Sequence, residues 1–228
     1  MRRKRSLRLL ISAGPTREPI DPVRFLSNCS TGYMGSQLAE EGLRRGHRVT
    51  VVAGPGVRSL PRGARVISVV RAVEMERVLR RQAPRADAVI MAAAVSDFRP
   101  VRQAPVKLKR QGRLTLTLSP TPDILSRLPR ADRQVRVGFA LESGRVVARA
   151  ARKLREKRVD FLLAQQVSRR TNPFGRSPVR AWLLGRSGAV TDLGRRSKLA
   201  VARALLDKIE ALWYGQPEPH RDFHAART

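Results

Sequence analysis

Residues 7–56, LRLLISAGPTREPIDPVRFLSNCSTGYMGSQLAEEGLRRGHRVTVVAGPG, decide the fold. Leu7–Ser12 is a short leucine-rich run that stops near Gly14-Pro15, the pattern of a buried strand. A polar stretch from Thr16 to about Thr31 follows, too long for a simple connector. Tyr33–Arg45 carries Met34, Leu38, Ala39, Gly42 and Leu43 near helical spacing and closes on Gly46, which suits a helix C-terminus. Val49–Ala53 is the next apolar run, ended by Gly54-Pro55-Gly56. Two adjacent parallel strands need a crossover of this kind, so the unit predicts a parallel sheet.

The pattern continues outward. Val66–Val70 reads as a strand, Ala72–Gln82 as a helix, and the wholly apolar Ala88–Val95 as a strand buried on both faces. Leu114–Leu118 alternates Leu and Thr, the period of a strand with one wet face. Val135–Ala140 reads as a strand, followed by a helix capped by Ser143 and running to about Lys157, then a strand at Phe161–Ala164. Arg180–Leu184 and Val190–Leu193 flank Gly185–Gly188 as a late hairpin, and Arg195–Trp213 reads as a long helix. The expected fold is α/β: three-layer and Rossmann-like, with a mainly parallel sheet, helices on both faces and a flap and hairpin region. One domain is expected over 1–213, with a polar tail over 214–228. Ligands of such sheets bind beyond the carboxyl ends of strands, here the loops after Ser12, Val52, Ala94 and Phe139.

Composition narrows the classes. Of 228 residues, 42% are hydrophobic, enough for a core, and 47 basic against 18 acidic residues give a formal charge of +29. The basic residues are spread along the chain, which favours a solvated basic surface over a nucleic-acid-binding module. Only 4% of residues are aromatic and no RNA- or DNA-binding motif occurs, so no specific nucleic acid is expected. A single cysteine, Cys29, excludes an intrachain disulfide framework and a cysteine-based zinc cluster. His220 and His224, with Asp222 between them, could share a helical face and hold a metal, but Pro217 and Pro219 favour a solvated tail there; His47 reads as structural. The basic start is followed by an apolar stretch of only Leu9–Ile11, and no membrane-length run occurs, so a cytoplasmic protein is expected.

Several residues carry possible chemistry. Ser30-Thr31-Gly32 opens a helix whose free N–H groups can hold an anion. The glycine spacing is not G-x-G-x-x-G, which disfavours an NAD(P)-linked enzyme. Asp97, just past a buried run, can hold Mg²⁺ on phosphates or cap a turn. Lys107 lies in a Pro- and Gly-flanked basic flap, where it can close over a triphosphate or stay solvated. Asp123 opens a helix; Phe139 at a strand end can pack on a base or in the core; Lys153 and Lys157, at i and i+4, share a helix face that is ordinarily solvated. Asn28 can donate to a developing oxyanion or stabilise a tight turn.

The string AGPTREPIDPVRFLSNCSTGYMG closely resembles the opening of bacterial phosphopantothenate–cysteine ligases, with the pattern AGPTxExxDPVRxxSNxSxGxMG. That domain type is also the C-terminal half of the bifunctional coenzyme A biosynthesis flavoprotein. The resemblance runs on through Ala92–Phe98, Lys107–Arg110, Pro122–Ile124, Val137–Glu142, Lys153 and Lys157, and covers roughly Leu9 to Trp213. It implies a ligase that joins 4′-phosphopantothenate to cysteine through an acyl-nucleotide, with CTP as co-substrate, Mg²⁺ and release of pyrophosphate. It implies Asn28 and Lys107 as catalytic residues, and Met91, Ala92, Ala93, Asp97, Lys107, Pro122, Asp123, Ile124, Leu125, Phe139, Lys153 and Lys157 as the nucleotide site, with Asp97 on the metal. Arg24, Asn28 and Ala94 are the implied substrate contacts. It also implies a homodimer with the flap and a strand near the shared surface, for which Leu114–Leu118 is the candidate. No flavin is expected in this chain, so the product passes to a separate flavin-dependent decarboxylase. Gln165, Val179, Pro120 and Thr121 stand where the family commonly has other residues.

Overall fold

The computed structural model describes residues 5–110, 112–168 and 173–215. β1 (Arg8–Ala13) leads through a small hairpin, β2 (Arg17–Pro19) and β3 (Phe25–Ser27), into α1 (Tyr33–Arg44). β4 (Arg48–Ala53), β5 (Arg65–Ser68), α2 (Ala72–Gln82) and β6 (Ala88–Met91) follow. A second small hairpin, β7 (Phe98–Pro100) with β8 (Leu118–Pro120), brackets the flap. Then come α3 (Ile124–Arg127), β9 (Val135–Glu142), α4 (Val146–Glu156), β10 (Phe161–Gln166), β11 (Val179–Gly185), β12 (Val190–Arg196) and α5 (Lys198–Gly215).

The main sheet has eight strands in the order β12-β11-β10-β9-β6-β1-β4-β5. The six from β10 to β5 are parallel, and β11 and β12 add an antiparallel edge. β1 is central, with Ile11 in register between Val51 and Ile90. Its side chains alternate between two cores. Leu9, Ile11 and Ala13 pack under α1 and α5, with Leu38, Val201, Leu205 and Ile209. Leu10 packs on the opposite face with Met75, Leu79, Ala150 and Leu154, from α2 and α4. Burial on both faces is why the strand reads as an unbroken apolar run; each sealed leucine contributes about 2 kcal/mol of transfer free energy. The expected helix–sheet–helix layering is therefore what the chain adopts.

Some boundaries differ from expectation. Ala88–Val95 is a strand only to Met91; its partner β1 ends at Ala13, and the small residues Ala92–Ala94 turn over the crest, with Ala94 bridging to Pro15. Leu114–Leu118 is a strand only at its last residue. Leu114 is exposed, so neither face of that segment is buried and alternation alone cannot hold it; the pairing goes instead through Leu118–Pro120 to Phe98–Pro100. Ser143 does not cap α4. Gly144 and Arg145 both take left-handed φ, of 75° and 44°, to turn the chain, and the helix starts at Val146 without a side-chain cap. The last helix begins at Lys198 rather than Arg195, because β12 keeps its register with β11 through Arg196. It runs to Gly215, past the expected tail boundary at residue 214. The rest of that tail, with His220 and His224, lies outside the described residues. His47 is buried, its Nδ1 accepting from the Leu7 N–H at 3.3 Å and its Nε2 3.0 Å from Glu210.

Two glycines shape the crest. Gly32, the residue before α1, has φ 73°, a conformation that costs a side chain dearly. Gly54, after β4, lies so close to the first loop that a Cβ there would stand 1.7 Å from the Pro15 carbonyl oxygen.

Candidate active site

A cleft of about 600 Å³ opens beyond the carboxyl ends of β1, β6, β9 and β10, on the α1 and α5 side of the sheet. A second cavity of about 390 Å³ lies on the α3 and α4 side. The two meet over the crest at Ala93, Val95, Asp97, Phe139 and Lys153. Together they form a trough that crosses the edge of the sheet, reached from the loops after β1, β6 and β9, as expected. The loop after β4 stays behind the wall, with Val57 packed against Gly14 and Gly32.

The turn Ala92–Asp97 forms the floor and is pinned from three directions. Ser12 Oγ accepts from the Ala93 N–H at 3.1 Å, and Thr16 Oγ1 from the Ser96 N–H at 2.9 Å. The Asn28 Nδ2 group donates to the carbonyls of Ala94 and Val95 at 3.1 and 3.0 Å. With both amide hydrogens facing carbonyl oxygens, the orientation of this side chain is fixed. Asn28 thus borders the cleft as a brace on its floor.

On the α4 side, Lys157 Nζ is paired with Asp123, whose carboxylate also caps α3 by accepting from the Ser126 N–H at 3.4 Å and accepts from Ser126 Oγ at 2.7 Å. Burial, the largest single influence, acts to raise the Asp123 pKa, but the hydrogen bonds from Lys157 and Ser126 and the Lys157 charge together outweigh it and hold the carboxyl below its ordinary range. Lys153 Nζ stands 2.7 Å from Glu142 Oε1, a buried carboxylate oxygen that has an ion pair here but no hydrogen bond of good geometry. Met91, Pro122, Ile124 and Leu125 line the same cavity, and Phe139 stands at the crest between the two halves.

The structure therefore brings together Asn28, Met91, Ala92, Ala93, Ala94, Asp97, Pro122, Asp123, Ile124, Leu125, Phe139, Lys153 and Lys157 along one trough. It does not bring in Lys107 or Arg24. Lys107 is exposed on the flap, outside both cavities. The Arg24 Nη2 donates to Asp21 Oδ2 at 2.5 Å and to the Leu108 carbonyl at 2.7 Å, while Asp21 Oδ2 accepts from the Leu108 N–H at 3.1 Å. This pair fastens the flap next to Lys107. Glu18, in the same motif, is also structural: its Oε1 accepts from the Ala72 N–H at the start of α2, at 2.8 Å.

The sequence reading missed Ser12 and Thr16, which brace the floor, and Lys198, which lines the α1–α5 half; Gln165, noted there only as a departure from the family, lines the same half. For Lys198 a signal existed. Only seven of the 47 basic residues are lysines, and three of those seven line the trough. A compact ammonium fits buried or phosphate-binding positions that a planar guanidinium does not.

Mg²⁺ usually takes one or two protein carboxylates and completes its shell with substrate phosphates and water. Among the described residues no cluster of three or more metal-ligating side chains occurs, and Asp97 is the carboxylate at the junction of both cavities. That donor set fits a magnesium ion carried in on a nucleotide and does not fit a resident metal cage.

These features define the class: a Rossmann-like α/β protein whose cleft crosses the crest of a parallel sheet and carries ammonium groups on both sides of it. The chain belongs to the family described as DNA/pantothenate metabolism flavoprotein C-terminal domain, which it matches over residues 5–212. The coenzyme A biosynthesis bifunctional protein CoaBC of Bacillus subtilis (strain 168) is 39% identical over 207 residues, 90% of this chain and 51% of that protein. A cysteine/cysteine sulfinic acid decarboxylase from an unknown prokaryotic organism is 36% identical over 209 residues, 90% of this chain and 58% of the relative. The chain thus spans about half the length of the curated relatives it matches. Among solved structures, the C-terminal domain of a CoaBC superposes with TM-score 0.78 at 31% identity, covering 95% of this chain and all of that one. A Cab2 mutant in complex with phosphopantothenate-cysteine shares the fold at TM-score 0.73 and 18% identity, covering 93% of this chain and 89% of that one.

Proposed function

We propose that this chain, as one domain over 1–213, is a ligase that joins 4′-phosphopantothenate to cysteine at the expense of CTP, a step of coenzyme A biosynthesis. The observation that carries this is the trough itself. It spans both faces of the sheet, with ammonium groups on each side and an asparagine, an aromatic ring and a carboxylate between. Two anionic reactants can meet there over the crest, and membership of the family supports the reading.

In the first step the substrate carboxylate attacks the α-phosphorus, an acyl O–P bond forms, and pyrophosphate leaves. In the second, the cysteine amine attacks the acyl carbon, a C–N bond forms, CMP leaves with the bonding pair of the acyl C–O bond, and the nitrogen gives up a proton. Neither step needs a protein nucleophile, so positioning and charge neutralisation carry the catalysis. Lys153 and Lys157, already close to carboxylates, exchange them for or share them with the triphosphate. Asp97 would hold the magnesium ion, which when bound would screen the phosphates. Phe139 offers a ring face at the crest, and the pinned turn Ala92–Asp97 presents backbone to the nucleotide. Lys107 reaches the polyphosphate only when the flap fastened by Arg24 and Asp21 closes. Asn28 donates to the acyl oxygen as charge develops on it, releasing one of its two carbonyl partners.

The same reading includes a homodimer and a flavin-dependent decarboxylase activity that receives the product. Phe98, Val101, Val106, Leu114 and Leu118 are large exposed apolar residues around the flap, the kind of surface a second copy covers. Among the described residues no helix is long and apolar enough to cross a membrane.

The test is pyrophosphate release from enzyme, Mg²⁺, 4′-phosphopantothenate and cysteine with CTP or ATP in turn. Release with CTP exceeding that with ATP is expected. No release with either overturns the ligase reading.

A further inference from the structure

The Asp97 carboxylate stands at the junction of the two cavities, yet no hydrogen bond or ion pair holds it among the described residues. Asp97 is exposed, so only the backbone beneath it aims its side chain. That backbone is fixed from both sides. On the sheet side, Thr16 Oγ1 accepts from the Ser96 N–H at 2.9 Å, and Ser96 Oγ donates to the Phe98 carbonyl at 2.9 Å. On the flap side one residue makes two contacts. The Thr121 N–H donates to the Asp97 carbonyl at 2.9 Å, which continues the β7–β8 ladder one residue beyond the Phe98–Pro120 pair. The Thr121 Oγ1 donates to the Ser96 carbonyl at 2.5 Å.

The geometry of those two bonds matters. The Ser96 carbonyl belongs to the peptide plane that enters Asp97, and the Asp97 carbonyl to the plane that leaves it. Peptide units are planar, so holding both planes that share the Asp97 Cα sets its two soft dihedrals and with them the direction of its Cβ. Ser12 and Asn28 act further upstream, on Ala93, Ala94 and Val95. Thr121 is half-buried and lines the α3–α4 cavity. Two residues on, Asp123 caps α3 and pairs with Lys157. Thr121 is thus the vertex at which the flap stem, the Asp97 turn and the Asp123–Lys157 pair meet. It is also a position at which this chain departs from the common family pattern.

We propose that Thr121 is a positioning residue for the magnesium-bound nucleotide: through its hydroxyl it turns the Asp97 carboxylate toward the place where a metal ion carried on the phosphates would sit. This rests on the ligase reading for the identity of the nucleotide. Valine has nearly the same shape and keeps the backbone N–H bond, so Thr121→Val removes the hydroxyl contact alone.

The experiment is calorimetric titration of the full chain with CTP, once in excess Mg²⁺ and once in EDTA, without phosphopantothenate or cysteine so that no turnover occurs. The quantity read is the ratio of the two affinities, with the melting temperature measured on each variant. Loss of one neutral hydrogen bond predicts a roughly 3- to 10-fold fall of that ratio in Thr121→Val, with the affinity in EDTA unchanged within about twofold. Thr121→Ser, which keeps the hydroxyl, retains the wild-type ratio. Asp97→Asn lowers the ratio by itself, and adding Thr121→Val to it lowers it no further, because both act through one carboxylate. A wild-type ratio in Thr121→Val or in Asp97→Asn overturns the proposal. So does a Thr121→Ser ratio as low as that of Thr121→Val, or an added loss in the double variant. An equal loss with and without Mg²⁺ also overturns it and marks Thr121 as a wall of the pocket. If Thr121→Val does not fold, Thr121→Ala is read by the same ratio. A wild type whose affinity for CTP does not respond to Mg²⁺ overturns the proposal outright. A wild type that shows the ratio, and its fall in Thr121→Val, but releases no pyrophosphate with all substrates present removes the ligase reading and keeps the role of Thr121.

Discussion

Truncating Asn28 to alanine tests two roles at once, and the structure separates their sizes. The amide makes two neutral hydrogen bonds to the carbonyls of Ala94 and Val95, at 3.1 and 3.0 Å, from an exposed side chain. Exposure lets water replace part of what is lost, so the low end of the usual range applies, about 0.5 kcal/mol per bond and about 1 kcal/mol for the pair. The floor turn remains pinned by Ser12 and Thr16, so it loosens without unfolding. A loss of about 1 kcal/mol in placing the turn slows both half-reactions alike, by roughly fivefold. The oxyanion role is larger and confined to the second step; losing one such donor costs about 10²–10³ in rate. Rapid-quench single turnovers with labelled CTP resolve the two. The acyl-nucleotide should form a few-fold more slowly in Asn28→Ala and then accumulate, because its reaction with cysteine is slowed by roughly two further orders of magnitude. Equal slowing of both steps would refute the oxyanion assignment and leave Asn28 as a brace. Wild-type rates in both steps would refute the brace as well.

Lys157→Met should raise the KM for CTP while lowering stability at neutral pH by no more than about 1 kcal/mol, since the pair with Asp123 is partly exposed. The Asp123 pKa is depressed in the folded protein, so the pair's contribution is present above the ordinary carboxylate pKa and fades as pH falls below it; the stability gap between wild type and variant, followed by urea titration, should narrow below about pH 4. Lys107→Gln should cut turnover severely with no change in melting temperature, because the side chain is exposed and touches neither cavity; normal turnover would remove Lys107 from the reaction. Gly54→Ala should destabilise by about 3 kcal/mol or more, because its Cβ would sit 1.7 Å from the Pro15 carbonyl oxygen and backbone must move; an unchanged urea midpoint would contradict the close approach.

What the sequence determined by itself was set by local periodicity and by one contiguous motif. Burial on both faces made β1, β4 and β6 legible as apolar runs, and the helical spacing of Met34, Leu38 and Leu43 between two of them left a parallel crossover as the only connection. The parallel sheet likewise marked the strand ends where a cleft forms, and the resemblance carried by the motif in 13–35 extended the site to Lys153 and Lys157. Tertiary structure alone decided where each motif residue goes. Glu18 caps α2, Asp21 and Arg24 fasten the flap, and Asn28 braces a turn more than sixty residues away, contacts that no spacing rule reports. It also decided that the alternating Leu114–Leu118 run stays unpaired over most of its length, since an amphipathic pattern becomes a strand only if the fold supplies a partner and an apolar face. Lys198 is the clearest case. In sequence it is one of seven lysines among 47 basic residues; only the packing of α5 against the 173–175 segment withdraws its ammonium from water and sets it at the wall of the cleft.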